Sequence, residues 1–413
     1  MHTLNTLPFN NRFATLGEDF FQRVEPTAVE KPFLIHVNQQ AADLINLNIE
    51  SENNADLLAY FSGEKTFVEG DALAMLYSGH QFGHYVSQLG DGRAIMLGET
   101  NGYELQLKGS GQTPFSRNAD GRAVLRSTIR EYLCSEAMHG LGIPTTRALC
   151  MLGSEEVVHR EKLEYASVMV RMAPSHVRFG SFEVFFHRRQ FDLLKQLADF
   201  MLEQHFPECM QQDEPYVALL QEVVGRTAKL MAQWQLVGFA HGVMNTDNMS
   251  ILGLTLDYGP FGFLDSYNPD FICNHSDHQG RYVFHQQPNI GLWNLNMLAQ
   301  AMLPLLEADN PELAVEKARV VLQSYQPSYL DAFNSGMSEK MGFSADANNK
   351  ESDTELANNL LTIMAKNQVD YTILFRKLAD FKTDLSKNDS ELRDLFLDRE
   401  AFDHWAVDYR QRL

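Results

Sequence analysis

Arg93-Ala-Ile-Met-Leu-Gly-Glu-Thr-Asn-Gly-Tyr-Glu-Leu-Gln-Leu-Lys108 reads as a β-hairpin. Two runs, Arg93-Ala-Ile-Met-Leu97 and Tyr103-Glu-Leu-Gln-Leu-Lys108, flank Asn101-Gly102, a pair that tight hairpin turns favour. In the second run Tyr103, Leu105 and Leu107 alternate with Glu104, Gln106 and Lys108. Side chains alternate between the faces of a strand, so Lys108 shares the polar face at the strand end.

Outward from this hairpin, Gly109-Ser-Gly111 is a loop, and the spacing predicts a helix over 123–139. Leu125, Ile129, Tyr132, Leu133 and Ala137 fall near one face of it, and Gly140, Gly142 and Pro144 end it. Apolar strands are expected at 147–152, 156–160 and 165–172. Past Pro174 the pattern turns helical, at 191–205, 216–236, 290–306, 311–325, 351–366 and 369–384, interrupted by strand and loop over 241–288. Leu356, Leu360, Ile363 and Met364 make a helical stripe suited to core packing. Strands followed by helices imply an α+β protein of two lobes, mostly β and then mostly α. The expected division is an N-terminal arm over 1–60, an N-lobe over 61–173 and a helical C-lobe over 174–413. The cleft between two lobes is a favoured place for a ligand.

At 413 residues and 44% hydrophobic, the chain has ample material for a large core. No apolar run approaches the ~18 residues of a membrane span, and the first residues lack the basic-then-apolar pattern of a secretory signal. Cys134, Cys150, Cys209 and Cys273 are scattered, which disfavours a disulfide framework or a CxxC zinc site and makes a reducing cytoplasm the expected compartment. A net charge of −20 argues against general affinity for nucleic acid or an anionic membrane. It leaves room for a nucleotide, which needs only local cations. Arg117, Arg122, Arg126 and Arg130 are clustered, with Arg171 and Arg178 further on; such a cluster is equally compatible with a solvated helix face.

Four constellations bear on chemistry. Lys108 at a strand end and Glu131 on the next helix can pair, as the strand lysine and helix glutamate of protein kinases do; the same residues also suit a surface ion pair. Gln88-Leu-Gly-Asp-Gly-Arg93 precedes a strand, where Gly90 and Gly92 let backbone approach phosphate and Arg93 adds charge; it equally suits an ordinary turn. His241-Gly-Val-Met-Asn-Thr-Asp-Asn248 is followed nine residues later by Asp257-Tyr-Gly259. The amide of Asn248 and the carboxylate of Asp257 are hard ligands suited to Mg²⁺, and Asp247 can orient or deprotonate a hydroxyl; the same residues also suit two polar turns linking short strands. Unlike a kinase, the segment has no His-Arg-Asp, and Asp247 stands directly before Asn248. Lastly, Cys273-Asn-His-Ser-Asp-His278, with His285, contains metal-ligand types, but neighbours in a loop point apart and a hydrogen-bonded loop is the expectation.

Together these segments resemble the selenoprotein O family, the kinase-like protein adenylyltransferases. The resemblance runs from the N-terminal region to near the end of the chain. It is carried by Gly90-Asp-Gly-Arg93, Lys108-Gly-Ser-Gly-Gln-Thr-Pro114, Asp120-Gly-Arg-Ala-Val-Leu-Arg126, and His241 through Ser250. Asp257-Tyr-Gly-Pro-Phe-Gly-Phe-Leu-Asp265, Phe271-Ile-Cys-Asn-His-Ser-Asp277 and Asp370-Tyr-Thr-Ile-Leu-Phe-Arg376 add to it. The resemblance implies a two-lobed, protein-kinase-like fold in which ATP binds reversed relative to a kinase. AMP then passes to a Ser, Thr or Tyr hydroxyl of a protein substrate, and pyrophosphate leaves. By the same resemblance Gly90, Gly92, Arg93, Lys108, Asp120, Gly121, Arg171 and Arg178 contact the nucleotide and Glu131 pairs with Lys108. Asn248 and Asp257 hold Mg²⁺, with Mn²⁺ as the alternative, and Asp247 accepts the proton. The implied partners are redox-related or metabolic proteins, with a monomer expected.

Two departures accompany the resemblance. The hairpin between Arg93 and Lys108 is short for the family, and the sequence ends at Tyr409-Arg-Gln-Arg-Leu413 where relatives carry a redox-active tail, so control through Cys273 by that route is not expected. Two other functions fit some of the same residues: a kinase transferring the γ-phosphoryl group, and an inactive nucleotide-binding scaffold. The missing His-Arg-Asp weighs against the first, and retention of Lys108, Glu131, Asn248 and Asp257 against the second.

Overall fold

The structure, a computed structural model, describes residues 1–344, 349–381 and 390–413. An eight-stranded antiparallel sheet organises the first of two units, formed by Met1–Val223, Asn245–Gly259 and Asn296–Arg319. In chain order the strands are β1 (Phe21–Arg23), β2 (Phe33–Val37) and β3 (Leu73–Met75), then a separate hairpin of β4 (Gly79–Gln81) and β5 (His84–Val86). Next come β6 (Ala94–Thr100), β7 (Tyr103–Lys108), β8 (Ala123–Val124), β9 (Arg147–His159) and β10 (Leu163–Ala173). The sheet order is β1-β3-β6-β7-β10-β9-β2, with β8 paired to β10.

The hairpin of β6 and β7 forms as the sequence implies. Ala94 pairs with Lys108 and Thr100 with Tyr103. Asn101 (φ 48°) and Gly102 (φ 79°) both take the positive φ that a tight turn requires. Leu105 and Leu107 enter a core with Leu149, Leu152, Val168 and Val170. The helices α1 (Gln39–Leu44) and α2 (Asn54–Ser62) close it with Ala41, Ala42, Leu57 and Phe61.

Two expectations change here. The strands expected at 147–152 and 156–160 are one strand, because β10 pairs with β9 from Leu163–His159 to Met172–Arg147. The helix expected from 123 starts later, as α3 (Leu125–Gly140), since Ala123 and Val124 join β10. Its buried face also differs from the apolar stripe. Leu133 is 62% exposed, whereas Thr128, Glu131, Tyr132, Ser135 and Met138 are buried. Polar partners inside the fold, rather than apolar spacing, set the rotation of this helix.

Beyond the sheet lie α4 (Phe179–His187) and α5 (Phe191–His205), which the aromatic rings of Phe13 and Phe20 anchor against Phe200 and Phe185. The returning segment Asn245–Gly259 is held to the strand-to-helix junction by Phe179 N–H to the Met249 carbonyl (2.9 Å) and Ile251 N–H to the Val177 carbonyl (3.1 Å).

The second unit comprises Val224–Met244, Pro260–Leu295 and Val320–Leu413. The division falls within α6 (Pro215–Leu236), α7 (Gln287–Leu306) and α8 (Pro311–Gln323). This unit holds the short pair β11 (Phe239–Ala240) and β12 (Gly262–Phe263), and the helices α9 (Tyr325–Lys340), α10 (Lys350–Asn367), α11 (Tyr371–Leu378), α12 (Ser390–Arg393) and α13 (Arg399–Arg412). Leu356, Leu360 and Met364 of α10 pack with Leu374, Phe402 and Trp405, as their helical spacing implies. The helix expected over 311–325 stops at Gln323, and α9 follows it. Of the helix expected over 369–384, residues 382–384 lie outside the described residues. No helix among the described residues is long and apolar enough to cross a membrane.

Candidate active site

Glu104, Gln106 and Lys108 stand on the face of β7 opposite its core leucines, yet all three are buried. Burying such groups is costly unless each finds a partner, and distant segments supply them. Glu104 accepts from the backbone N–H of His176 (2.7 Å) and contacts its Nδ1 (2.8 Å). Gln106 accepts two bonds from Arg171, its cross-strand neighbour on β10, from Nε at 3.1 Å and Nη2 at 2.5 Å. Lys108 Nζ reaches Glu131 Oε2 at 2.6 Å and Asp257 Oδ1 at 3.0 Å. The Lys108–Glu131 pair is therefore an interior ion pair and not a surface one.

Asp257 is the centre of this network. Lys108 and Arg171 both pair with its Oδ1, and Arg178 Nη1 lies 2.5 Å from Oδ2. Arg171 also lies 3.3 Å from Glu131 Oε1. Burial by itself pushes the Asp257 carboxyl up; Arg171, Lys108 and Arg178 overcome it and hold the group well below the usual carboxylate range. The residue has φ 63°, a left-handed conformation that Asp tolerates better than most side chains. Arg178 does more than pair with Asp257. It donates to the backbone carbonyl of Asp247 (2.8 Å), lies 4.6 Å over the Tyr77 ring centre and approaches Asp91 at 3.7 Å.

Asp247 lies on a short 3-10 turn, Thr246–Asn248. Gln81 Nε2 donates to its Oδ2 at 3.2 Å, while its buried Oδ1 has no hydrogen-bond partner. Burial pushes this carboxyl up to about 6. The turn is pinned by the β4–β5 hairpin, through His80 N–H to Thr246 Oγ1 (2.7 Å) and Phe82 N–H to Asn245 Oδ1 (3.2 Å). Gly79 makes the approach possible, since a Cβ there would sit 2.8 Å from Asp247 Oδ1. Asn248 follows on the same turn, half-buried.

The remaining expected contacts lie in adjoining loops. Gly90 (φ 70°) packs against the Phe115 ring, where a side chain would collide. The hydroxyls of Thr113 and Ser116 donate to the carbonyls of Asp91 (2.7 Å) and Gly92 (2.5 Å), stitching the 113–116 loop to this turn. Arg93 is exposed, and its carbonyl accepts from Gly109 N–H at 2.8 Å, beside the end of β7. Asp120 pairs with Arg160 (2.7 Å) and accepts from Arg122 N–H (2.9 Å); the bond from Arg160 holds its carboxyl below the usual range. Gly121 accepts from Gly111 N–H at 3.3 Å. Among the described residues, the structure brings Lys108, Glu131, Arg171, Arg178 and Asp257 into direct contact, whereas the side-chain bonds of Asp120 lie outside that network.

Of the clustered arginines, Arg122 is spent on Glu156 (2.7 Å) and the carbonyls of Thr27 and Ala28, and Arg126 pairs with Glu164 (2.7 Å). In the second unit, the loop from Cys273 to His278 is hydrogen-bonded internally. Asp277 spends its two oxygens on Arg281 N–H (2.9 Å) and Tyr282 N–H (2.7 Å).

Asp91, Gln106, Tyr77 and Gln81 were not singled out by sequence reasoning. Asp91 accepts from Met75 N–H (3.2 Å), Tyr77 O–H (3.2 Å) and Gln106 Nε2 (3.1 Å). Burial raises its carboxyl against the pull of Arg178 and Arg171. A signal existed, because Asp91 is the acidic residue inside Gly90-Asp-Gly-Arg93 and Gln106 shares the face of Lys108.

Chemically, three interior cations beside carboxylates can hold a polyanion. The oxygens of Asp257 and the amide of Asn248 are hard donors of the kind that Mg²⁺ or Mn²⁺ takes, and the unpartnered Oδ1 of Asp247 can accept a proton.

A family model described as "Protein adenylyltransferase SelO" matches residues 3–413. The chain is 53% identical to the "Protein nucleotidyltransferase YdiU" of Thioalkalivibrio sulfidiphilus over 418 residues, covering all of this chain and 84% of that protein. It is 50% identical to the protein of the same name from Thiobacillus denitrificans over 414 residues, 99% of this chain and 83% of the relative. The Myxococcus xanthus protein of that name is 51% identical over 418 residues, covering 100% and 84%.

Proposed function

The chain belongs to the SelO family of protein adenylyltransferases, and on that premise we propose that it transfers AMP from ATP to hydroxyl groups of protein substrates. The observation that carries this reading is the convergence of Lys108, Arg171 and Arg178 on Asp257 in a buried setting. A lone lysine–glutamate pair serves a kinase. Two additional buried arginines suit a nucleotide whose terminal phosphates lie deeper in the site, as reversed ATP requires.

In this reading Glu131 orients Lys108, and Lys108, Arg171 and Arg178 turn toward phosphate oxygens when ATP enters. Gly90, Gly92, Arg93, Asp120 and Gly121 line the nucleotide from the adjoining loops. Asn248 and Asp257 hold Mg²⁺ or Mn²⁺, which supplies neutralising charge at the phosphates. Gln81 fixes one oxygen of Asp247, so the other is free to accept the proton of the substrate hydroxyl. The acceptor oxygen bonds to the α-phosphorus, the bond from that phosphorus to the bridging oxygen breaks, and pyrophosphate leaves. Arg171 and Arg178 stabilise the charge that develops on it.

The same proposal carries a two-lobed, kinase-like organisation, with an arm over 1–60, an N-lobe over 61–173 and a C-lobe over 174–413. Its substrates are redox-related or metabolic proteins, and it acts as a cytoplasmic monomer. Intact-mass spectrometry after incubation with Mg²⁺ and ATP tests the reaction. Adducts of one AMP unit on the chain or on added proteins support it; adducts of one phosphate unit favour a kinase instead.

A further inference from the structure

Outside the Asp257 network, His80, Glu183 and His187 come together in the first unit. One ligand atom from each lies within 4.8 Å of the other two. The fold builds this grouping from two elements. Glu183 and His187 are four residues apart on α4, so their side chains share one face of that helix. His80 arrives on β4 of the short hairpin.

Glu183 is the telling member. It is 1% exposed, a setting in which a carboxylate needs every lone pair satisfied. Its Oε2 contacts His80 Nδ1 at 2.5 Å, but its buried Oε1 has no hydrogen-bond partner. His187 stands at the surface end of the group, with the Tyr85 ring against its imidazole at 3.8 Å. The arrangement has a buried anionic ligand, a half-buried imidazole and an imidazole open to entering ions.

We propose that His80, Glu183 and His187 form a cation site that takes Zn²⁺, or Co²⁺ in its place. Two imidazoles and one carboxylate leave a coordination position for water and suit Zn²⁺ far better than Mg²⁺, which prefers oxygen ligands throughout. The chain then carries two metal sites of different chemistry, a hard one at Asn248 and Asp257 and a nitrogen-rich one here. The ion joins the β4–β5 hairpin to α4. Because His80 N–H holds Thr246 and Gln81 holds Asp247, it steadies the turn that carries Asp247. The site itself stands on its own residues and not on the transferase reading.

The test uses the full chain, stripped with chelator and dialysed against Zn²⁺ in excess Mg²⁺, with bound zinc measured by elemental analysis. One Zn²⁺ per chain is expected, with a Zn²⁺-dependent rise in melting temperature. His187→Ala removes an exposed ligand without touching the core and weakens Zn²⁺ by at least about tenfold, the scale on which ligand-shell changes act. Glu183→Gln, which keeps the side-chain volume, does the same, and the visible absorption of the Co²⁺ form is lost in both. Failure of the wild-type chain to retain zinc in excess Mg²⁺, or undiminished affinity in His187→Ala, overturns the assignment.

Discussion

Gln81 Nε2 lies 3.2 Å from Oδ2 of Asp247 and leaves the other oxygen of that carboxylate without a hydrogen-bond partner. A carboxylate fixed at one oxygen and unfilled at the other is oriented to receive a proton. Burial lifts this group from 3.8 to about 6 in the folded chain, so the protonated form is the one the fold favours. The contribution to stability is full below the unfolded value near 3.8 and is lost as pH rises through about 6. Asp247→Asn therefore raises the melting temperature at pH 8 and leaves it nearly unchanged at pH 3. The gain corresponds to about 3 kcal/mol for a shift of that size. The variant loses at least ~100-fold in transfer, the range general-base groups supply. In the wild-type chain, kcat/KM falls as pH drops below about 6.

Asp257 faces the opposite charge balance. Its removal leaves Lys108, Arg171 and Arg178 crowded together with Glu131 and Asp91 as their remaining acidic contacts. Asp257→Ala is expected to abolish transfer and to cost about 3 kcal/mol, the lower end for breaking a buried pair because this carboxylate is partly exposed. Chemical denaturation and a transfer assay read the two effects. A fully active Asp257→Ala chain contradicts the proposed role of this residue as a metal ligand.

Lys108 and Arg171 both serve Glu131, yet their loss differs. With Lys108→Met, Glu131 keeps Arg171 at 3.3 Å; with Arg171→Met, Gln106 Oε1 loses both of its donors as well. Both variants lose ATP-dependent transfer, but Arg171→Met has the lower melting temperature. Equal melting points contradict the network as described.

Gly79→Ala tests the seat of Asp247. The added Cβ meets Asp247 Oδ1 at 2.8 Å and its Cβ at 2.9 Å, so the carboxylate must move. Overpacking of this kind costs about 1–3 kcal/mol. Transfer falls at least ~10-fold, because small displacements at reacting groups are expensive. Activity and denaturation midpoints measured together separate the two effects.

Local pattern made part of this legible. The alternation in Tyr103–Lys108 and the pair Asn101-Gly102 are complete within the hairpin, so strand, turn and the face of Lys108 follow from neighbours alone. The same alternation misleads about Glu104 and Gln106, because polar residues on a strand read as solvent-facing. Their burial depends on His176 and Arg171, more than 60 residues away in sequence. Leu133 fails for the same reason. Apolar spacing puts it inside, but Glu131 must face Lys108 and the rotation this imposes leaves Leu133 exposed. The single strand Arg147–His159 was hidden because its continuity is set by pairing with β10. Gln81 and His80 carried no signal, since their roles arise only where the hairpin meets the turn at Asp247.

The most direct measurement incubates the chain with Mg²⁺, a protein mixture and ATP labelled at either the α- or the γ-phosphate. Label carried onto protein from the α position, with γ label released as pyrophosphate, is the result expected for AMP transfer. Label carried onto protein only from the γ position, or from neither while nucleotide still binds, contradicts it.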